Sequence, residues 1–466
     1  MSPKSAILFF AIVVAGLFYL DRDRQTRTST ALWISVLWLL IASSRMLSEW
    51  LAALGLGVAV QPLDSPDRYL DGSPLDRLVL SGLLIAGVVA LARRHRKMAA
   101  LFRSNGPIIV FFAYCALSTL WSDYTGVAFK RWVKSVGDLV IVLIVVTDEA
   151  PSAALQRVLK RVGFLVIPTS VLLIKYFPDL GRGYHPWTWL PYYTGVTTGK
   201  NLLGMVCLLF GLGFVWRLVQ EVRGDGARWR TGPLVANGAL LAMVFWLFWM
   251  ANSMTSLSCF VLGVIVIMTT SMRRIMRNPG TIHALVAALL VLSFVTLFLD
   301  TGIVETMGRD PTLTGRSTIW KLVLGMVRDP FLGTGFESFW LGSRLDKLWS
   351  LYWWHPNEAH NGYLEVYLTL GWAGVGILTT VLITGYQKVV AGLRSDPSTG
   401  GLRLALFVVA ITYNCTESAI RVMDPVWTFL LLSILFVPRG SKQTRTSAAA
   451  VSAACSTQLN PSLEEL

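Results

Sequence analysis

Apolar stretches follow one another along most of this chain with short polar connectors between them, at about the 17 to 25 residues that cross a hydrocarbon core of roughly 30 Å or somewhat shorter. They fall near residues 5–20, 30–44, 76–92, 106–121, 132–147, 162–177, 200–218, 232–250, 255–271, 282–299, 362–386, 402–416 and 426–437. The pattern predicts an all-α polytopic membrane protein, a bundle of about 12–14 transmembrane helices. Residues 46–60 are more amphipathic, because Arg45 and Glu49 accompany them, and predict an interfacial segment. One polar island breaks the alternation. Residues 300–360 carry Arg309, Arg316, Arg328, Arg344, His355 and His360 among Trp320, Trp340, Trp349, Trp353 and Trp354. Nothing about spanning a bilayer calls for that set.

Composition agrees with the pattern. Of 466 residues only 15% are charged, against about 25% in ordinary soluble domains, and the mean hydropathy is +0.57. The net charge of +14 raises the question of nucleic acid. Its basic residues, however, cluster between apolar runs, as in Arg93-Arg94-His95-Arg96-Lys97 and Arg273-Arg274-Ile275-Met276-Arg277, with no basic stripe on a soluble domain. That is the charge bias of cytoplasmic loops. Connectors 93–97, 157–161, 217–230, 273–277, 388–403 and 439–445 are each separated by two spans, which predicts that they face the cytoplasm. The alternate connectors, including 122–131, 178–199, 300–361 and 417–425, then face outward.

The organisation read from this is a single transmembrane domain over residues 1–437, with its core at about 100–437, and a disordered cytoplasmic tail over 438–466. The first apolar run lacks a small-residue cleavage site and reads as a retained anchor. Cys115, Cys207, Cys259 and Cys415 lie in apolar segments and Cys455 in the tail, so no pair has metal-site spacing.

Several motifs offer chemistry. In His360-Asn361-Gly362-Tyr363-Leu364-Glu365, a histidine with an ordinary pKa near 6.5 sits where the outer loop meets the next span, able to take a proton from a sugar hydroxyl. The competing reading is an interfacial histidine with Asn361 as a helix cap. Arg316 offers a permanently charged fork for phosphate oxygens, or a merely solvated side chain. Arg309, Arg328 and Arg344 are expected to be balanced by Asp310, Asp329 and Asp346. The 178–199 loop gathers Arg182, Tyr184, His185, Trp187, Trp189, Tyr192 and Tyr193 ahead of Lys200, a mixture suited to a saccharide and phosphate surface. A lysine at the membrane edge, as Lys200 is, is costly without a partner. Glu417 and Arg421 are expected to pair at helical spacing. The aromatic residues up to Trp354 fit either sugar stacking or an interfacial belt. No metal is expected from His355, Glu358 and His360, whose spacing shares no helical face and forms no HExxH. The Gly333-Thr334-Gly335 segment follows no strand and is no dinucleotide fingerprint. Asp21-Arg22-Asp23 reads as a solvated turn.

In order along the chain, GKN at 199–201, ANSMTS at 251–256, GRSTIW at 315–320, DPFLGTGFESFW at 329–340, AHNGYLE at 359–365 and TES at 416–418 resemble the O-antigen ligase and polysaccharide polymerase family, in particular its exopolysaccharide-polymerising branch. The resemblance implies a glycosyltransferase of the bacterial inner membrane, active at the periplasmic face. Its donor would be an undecaprenyl-diphosphate-linked saccharide and its acceptor a glycan or a lipid-linked glycan, without metal or cofactor, in company with other polysaccharide-assembly proteins. Carried over, His360 is the base on the acceptor hydroxyl and Arg316 the diphosphate ligand. Lys200, Arg182, Asn361, Tyr184 and Glu417 are the expected substrate-binding residues. One departure stands out: Met254 occupies the position where many ligases have a second arginine, so Lys200 or Arg182 would have to supply that charge. The rival class is a glycan transporter, which predicts ionisable or unwound elements at mid-membrane rather than at the rim.

Overall fold

The computed structural model describes residues 2–22, 26–56, 70, 72–185, 189–223, 231–272, 279–298 and 316–436. Arg309 with the rest of 300–315, Trp187, the 273–277 basic cluster and the predicted 438–466 tail lie outside the described residues. The described chain is a helical bundle. Its helices are α1 (Pro3–Leu20), α2 (Leu32–Ala42), α3 (Leu47–Ala53), α4 (Pro74–Ala92), α5 (His95–Ser104), α6 (Gly106–Ser118), α7 (Thr125–Val146), α8 (Pro151–Tyr176), α9 (Pro178–Gly181), α10 (Lys200–Arg223), α11 (Thr231–Ala251), α12 (Met254–Thr270), α13 (Pro279–Phe298), α14 (Arg316–Leu324), α15 (Ser343–Leu351), α16 (Gly362–Ser395), α17 (Pro397–Tyr413) and α18 (Pro425–Ile434). A three-residue antiparallel ribbon, β1 (Arg182–Tyr184) with β2 (Pro191–Tyr193), is the one sheet among the described residues.

Each of the thirteen predicted apolar segments holds a helix, but length and composition single out fewer as candidate spans. Five qualify alone: α1, α4, α10, α11 and α16. Two further candidates are bent pairs, α2 with α3 at 56° and α5 with α6 at 91°. The segment predicted to be interfacial is thus the second limb of a bent pair. Four more apolar helices, in α12, α13, α17 and α18, are shorter. α7 and α8 run further than their apolar stretches, taking in Lys130, Arg131 and Lys134 in one and Arg157, Lys160 and Arg161 in the other. α10 lies at the centre, packed on α8, α11 and α12, and every residue of α18 is buried.

Connectors that the charge rule groups together also meet in space. Asp21 is buried, not the solvated turn expected, and pairs with Lys160 at 3.3 Å and Arg217 at 2.8 Å, while Arg94 reaches Asp148 at 3.7 Å. Two cations on one buried carboxylate leave it neutralised, which is what makes its burial tolerable. At the opposite end, residues 122–124, 338–344, 358–361 and 414–421 converge.

α16 is broken. Gly371 takes φ 63° and ψ −167°, and the 330–335 segment lies in the gap. Trp372 and Ala373 donate to the carbonyls of Pro330 and Phe331 at 3.0 and 3.1 Å, while Thr334 and Gly335 donate to those of Leu368 and Thr369 at 3.1 and 2.8 Å. Two N–H groups and two carbonyls beside the break are thus re-paired, as an interrupted helix at membrane depth requires. A Cβ at Gly371 would lie 2.1 Å from the Phe331 carbonyl oxygen, and positive φ adds strain. Gly371→Ala is accordingly expected to cost about 2 kcal/mol or more, seen as a lowered midpoint of thermal unfolding in detergent. An unchanged midpoint would contradict the account of the break.

Candidate functional site

The polar island contains its own small core. Ile319 and Val323 of α14, Leu345 and Leu348 of α15, Phe339, Trp340, Ala359 and Leu368 pack together, fixing residues 316–361 on the N-terminal limb of α16. Indole groups fasten the loop: Trp320 donates to the Ala359 carbonyl at 2.8 Å, Trp349 to that of Pro356 at 3.0 Å, and Trp340 to the Glu365 carboxylate at 2.8 Å. His355 stacks on Trp349 with centroids 4.4 Å apart, away from any ligand set with His360. Of the tryptophans considered for sugar stacking, Trp353 and Trp354 are the exposed ones.

His360 is positioned by the start of α16. Asn361 is the N-cap, its side-chain oxygen accepting from Tyr363 and Leu364 at 3.1 and 3.0 Å and its amide donating to the Cys415 carbonyl at 3.3 Å. The Gly362 N–H donates to the carbonyls of Asn414 and Glu417 at 2.9 and 3.1 Å. A Cβ there would fall 2.0 Å from the Asn414 side-chain oxygen, so glycine is what lets the helix seat on the 414–418 turn. That seating brings His360 against Glu417. Asn361, expected to bind substrate, instead spends its carboxamide on this seating.

Five ionisable side chains, joined by Asn201, form one network. The Glu417 carboxylate pairs with Arg316 Nη2 at 3.5 Å and hydrogen-bonds Asn201 Nδ2 at 3.4 Å and His360 Nδ1 at 3.2 Å. Glu358 lies 3.0 Å from His360 Nδ1 and takes Arg421 Nη1 at 2.6 Å. Arg316 also donates to the Thr416 carbonyl at 2.5 Å. The order is Arg316, Glu417, His360, Glu358, Arg421. Glu417 and Arg421 therefore do not pair with each other as helical spacing suggested, because residues 417–424 form a turn and each reaches a different partner.

Electrostatics change the reading of the histidine. Burial alone would lower its pKa, but hydrogen bonds to Glu358 and Glu417 and their charges outweigh it and raise the pKa to about 9. Burial likewise favours a neutral Glu358, yet the His360 hydrogen bond and the Arg421 charge hold it down at about 2. At neutral pH the resting network is thus an imidazolium and two guanidiniums around two carboxylates, with one net positive charge. Nδ1 faces the carboxylates, so in the neutral ring it is the N–H and Nε2 is the acceptor.

Ligand atoms of Glu358, His360 and Glu417 lie within 4.8 Å of one another, the residues that could hold a divalent cation. The same carboxylates already neutralise Arg316 and Arg421. A cation would bring them a third positive partner, and the donor set fits the ion-pair network better. Beside it, a cavity of about 60 Å³ bordered by Glu337, Glu358, Arg421 and Trp340 has room for water but not for a sugar ring.

The remaining predicted residues are placed differently. Arg182 donates twice to the Ile174 carbonyl, at 3.0 and 2.8 Å, closing the end of α8, and its guanidinium lies over Tyr193. Helix capping accounts for it. Tyr184 is exposed on β1, and Lys200 is exposed at the first turn of α10, where its neighbour Asn201 makes the contact with Glu417. Arg344 pairs with Asp123 at 2.7 Å and not with Asp346. Met254 offers no guanidinium, and the second one in the network is Arg421, on the 414–424 turn. Helical spacing offered Glu417 as its partner, whereas the partner it takes, Glu358, is 63 residues away in sequence.

Residues 238–379 match the family model described as O-antigen ligase, a segment that includes Arg316, Glu358 and His360 and ends before Glu417 and Arg421. No individual curated protein matches the chain. The match supports the O-antigen ligase and polysaccharide polymerase family read from motif order.

Proposed function

We propose, from the premise that this chain carries an O-antigen ligase segment within a multi-pass helical bundle, that it transfers saccharides from undecaprenyl diphosphate at the periplasmic face of the bacterial inner membrane. The observation that carries the reading is the network in which Arg316 and His360 share Glu417. In the proposed reaction Arg316 holds the donor diphosphate, and Arg421 supplies a second positive charge at the other end of the network. The neutral form of His360 takes the acceptor hydroxyl proton on Nε2 as that oxygen attacks the anomeric carbon. The bond from anomeric carbon to phosphate oxygen breaks, and the diphosphate leaves with the electron pair on its lipid. Glu417 and Glu358 orient the ring and hold the imidazolium that results. Fixed cations aimed at the leaving group stabilise the charge that develops there. No metal enters this scheme.

Polymerisation onto another lipid-linked chain and ligation to a different acceptor both fit. The test is reconstitution of the full chain in vesicles with purified lipid-linked repeat units and EDTA. Longer chains, or transfer to an added acceptor, are expected without any ion gradient. Movement of unaltered glycan across the bilayer with no new glycosidic bond would replace the enzyme by a transporter.

A further inference from the structure

We infer that the chain holds a separate site for the phosphate headgroup of a membrane lipid, between the site-facing ends of α4 and α7. A cavity of about 390 Å³ opens there, lined by Arg77 of α4, by Lys130, Arg131 and Lys134 of α7, and by apolar side chains including Leu80 and Leu84. Among the described residues no carboxylate lines it. Lys130 and Lys134 are one helical turn apart on the same face, where like charges destabilise a helix. Asp76, next to Arg77 in sequence, turns its carboxylate to Ser48, accepting from the backbone N–H at 2.9 Å and the hydroxyl at 2.5 Å, and Asp71, next to Gly72, lies outside the described residues. An anion in the cavity would offset the crowding of Arg77, Lys130 and Lys134, while Arg131 also meets Glu337.

Its surroundings specify an amphiphile rather than a soluble anion. α4 presents Leu78, Ile85, Val88 and Val89 outward, all at least half exposed, so the cavity adjoins a helix whose outer face is apolar. A headgroup bound by the cations would leave its chain along that face, the arrangement in which basic pockets between helices take lipid phosphates. The cavity lies at the same end of the bundle as the candidate site, because α7 starts beside Ser122, which donates to Ser338 at 2.7 Å. A direct wall joins the two. Arg131 lines the lipid cavity and donates to the Glu337 carbonyl, with its guanidinium 4.0 Å from the Glu337 carboxylate. Glu337 in turn borders the small cavity beside Glu358 and Arg421.

The site is tested by binding alone, so the result reads the same whether or not the protein proves to be a transferase. Full-length protein carrying Arg316→Ala, which silences the proposed donor contact, is placed in phosphatidylcholine nanodiscs and titrated with farnesyl diphosphate, phosphatidylglycerol and inorganic pyrophosphate. Saturable binding of one or both lipids is expected, and the tighter of the two identifies the headgroup class. Lys130→Gln with Lys134→Gln is expected to weaken that binding about tenfold or more, and Arg77→Gln, on the other helix, to weaken it independently. Lipid binding that is undiminished in both variants would overturn the inference. So would inorganic pyrophosphate binding as tightly as the lipids, which would make the cavity a soluble-anion site.

Discussion

Arg316→Ala and His360→Ala are each expected to lower transfer from a lipid-linked donor by about two to three orders of magnitude, with both proteins still inserted and monodisperse. The two losses have different origins. Arg316 supplies a fixed positive charge where the proposed leaving group accumulates negative charge, a contribution made mainly in the transition state, so its removal shows in kcat. It also holds Glu417 at 3.5 Å, so its loss leaves the carboxylate with Asn201 and His360. Arg316→Lys keeps the charge without the planar fork and is expected to retain an intermediate rate. His360→Ala removes the proton acceptor while sparing the N-cap made by Asn361, so the fold around α16 persists. Product chain length on gels, compared with wild type at matched protein level, is the measurement. Normal polymer from either alanine variant would remove these residues from the mechanism.

The second large effect is on pH. With His360 at about 9, roughly one ring in a hundred is neutral at pH 7, and transfer is expected to rise tenfold per unit until it levels near pH 9. Glu417→Gln keeps the shape but removes one of the two carboxylates that stabilise the imidazolium, so the midpoint of the profile is expected to move downward. A purely structural Glu417 would leave the midpoint where it is and change only the height. Stability follows the same linkage with its own sign. A histidine whose folded pKa lies above its unfolded value of about 6.5 stabilises the fold fully below that value. That contribution is lost as pH rises through about 9. Glu358, depressed to about 2, stabilises the fold above its ordinary range near 4.5 and loses that contribution as pH falls toward 2. The two share one interaction, so their contributions are not added.

Much of this was legible in the chain, and the reasons are physical. Apolar runs located thirteen of the eighteen helices, because a segment without water to satisfy its backbone has few alternatives. Fewer of them qualify alone as candidate spans, since Arg45 and Asn105 lie where candidate segments bend, and charged turns extend α7 and α8. His360 and Arg316 were visible because each sits in a local motif with an evident chemical use. The pairing of Glu358 with Arg421 was not, because it is created by the seating of α16 on the 414–418 turn, which no local spacing encodes. Arg182 misled for the opposite reason. Its company of aromatic residues suggested a ligand surface, whereas the hairpin turns its guanidinium back onto the end of α8.

The break at Gly371 has a mechanical consequence. Because residues 330–335 bond to the backbone on both sides of it, the two limbs of α16 are tied across the break to the loop that bears Arg316 and Trp340. A bilayer thicker or thinner than the apolar length makes helices tilt. Here backbone bonds span the joint, so tilt of the limb after Gly371 is passed to residues 330–335 and on to the loop that carries the candidate site. Transfer is therefore expected to respond to the thickness of the membrane that holds the protein.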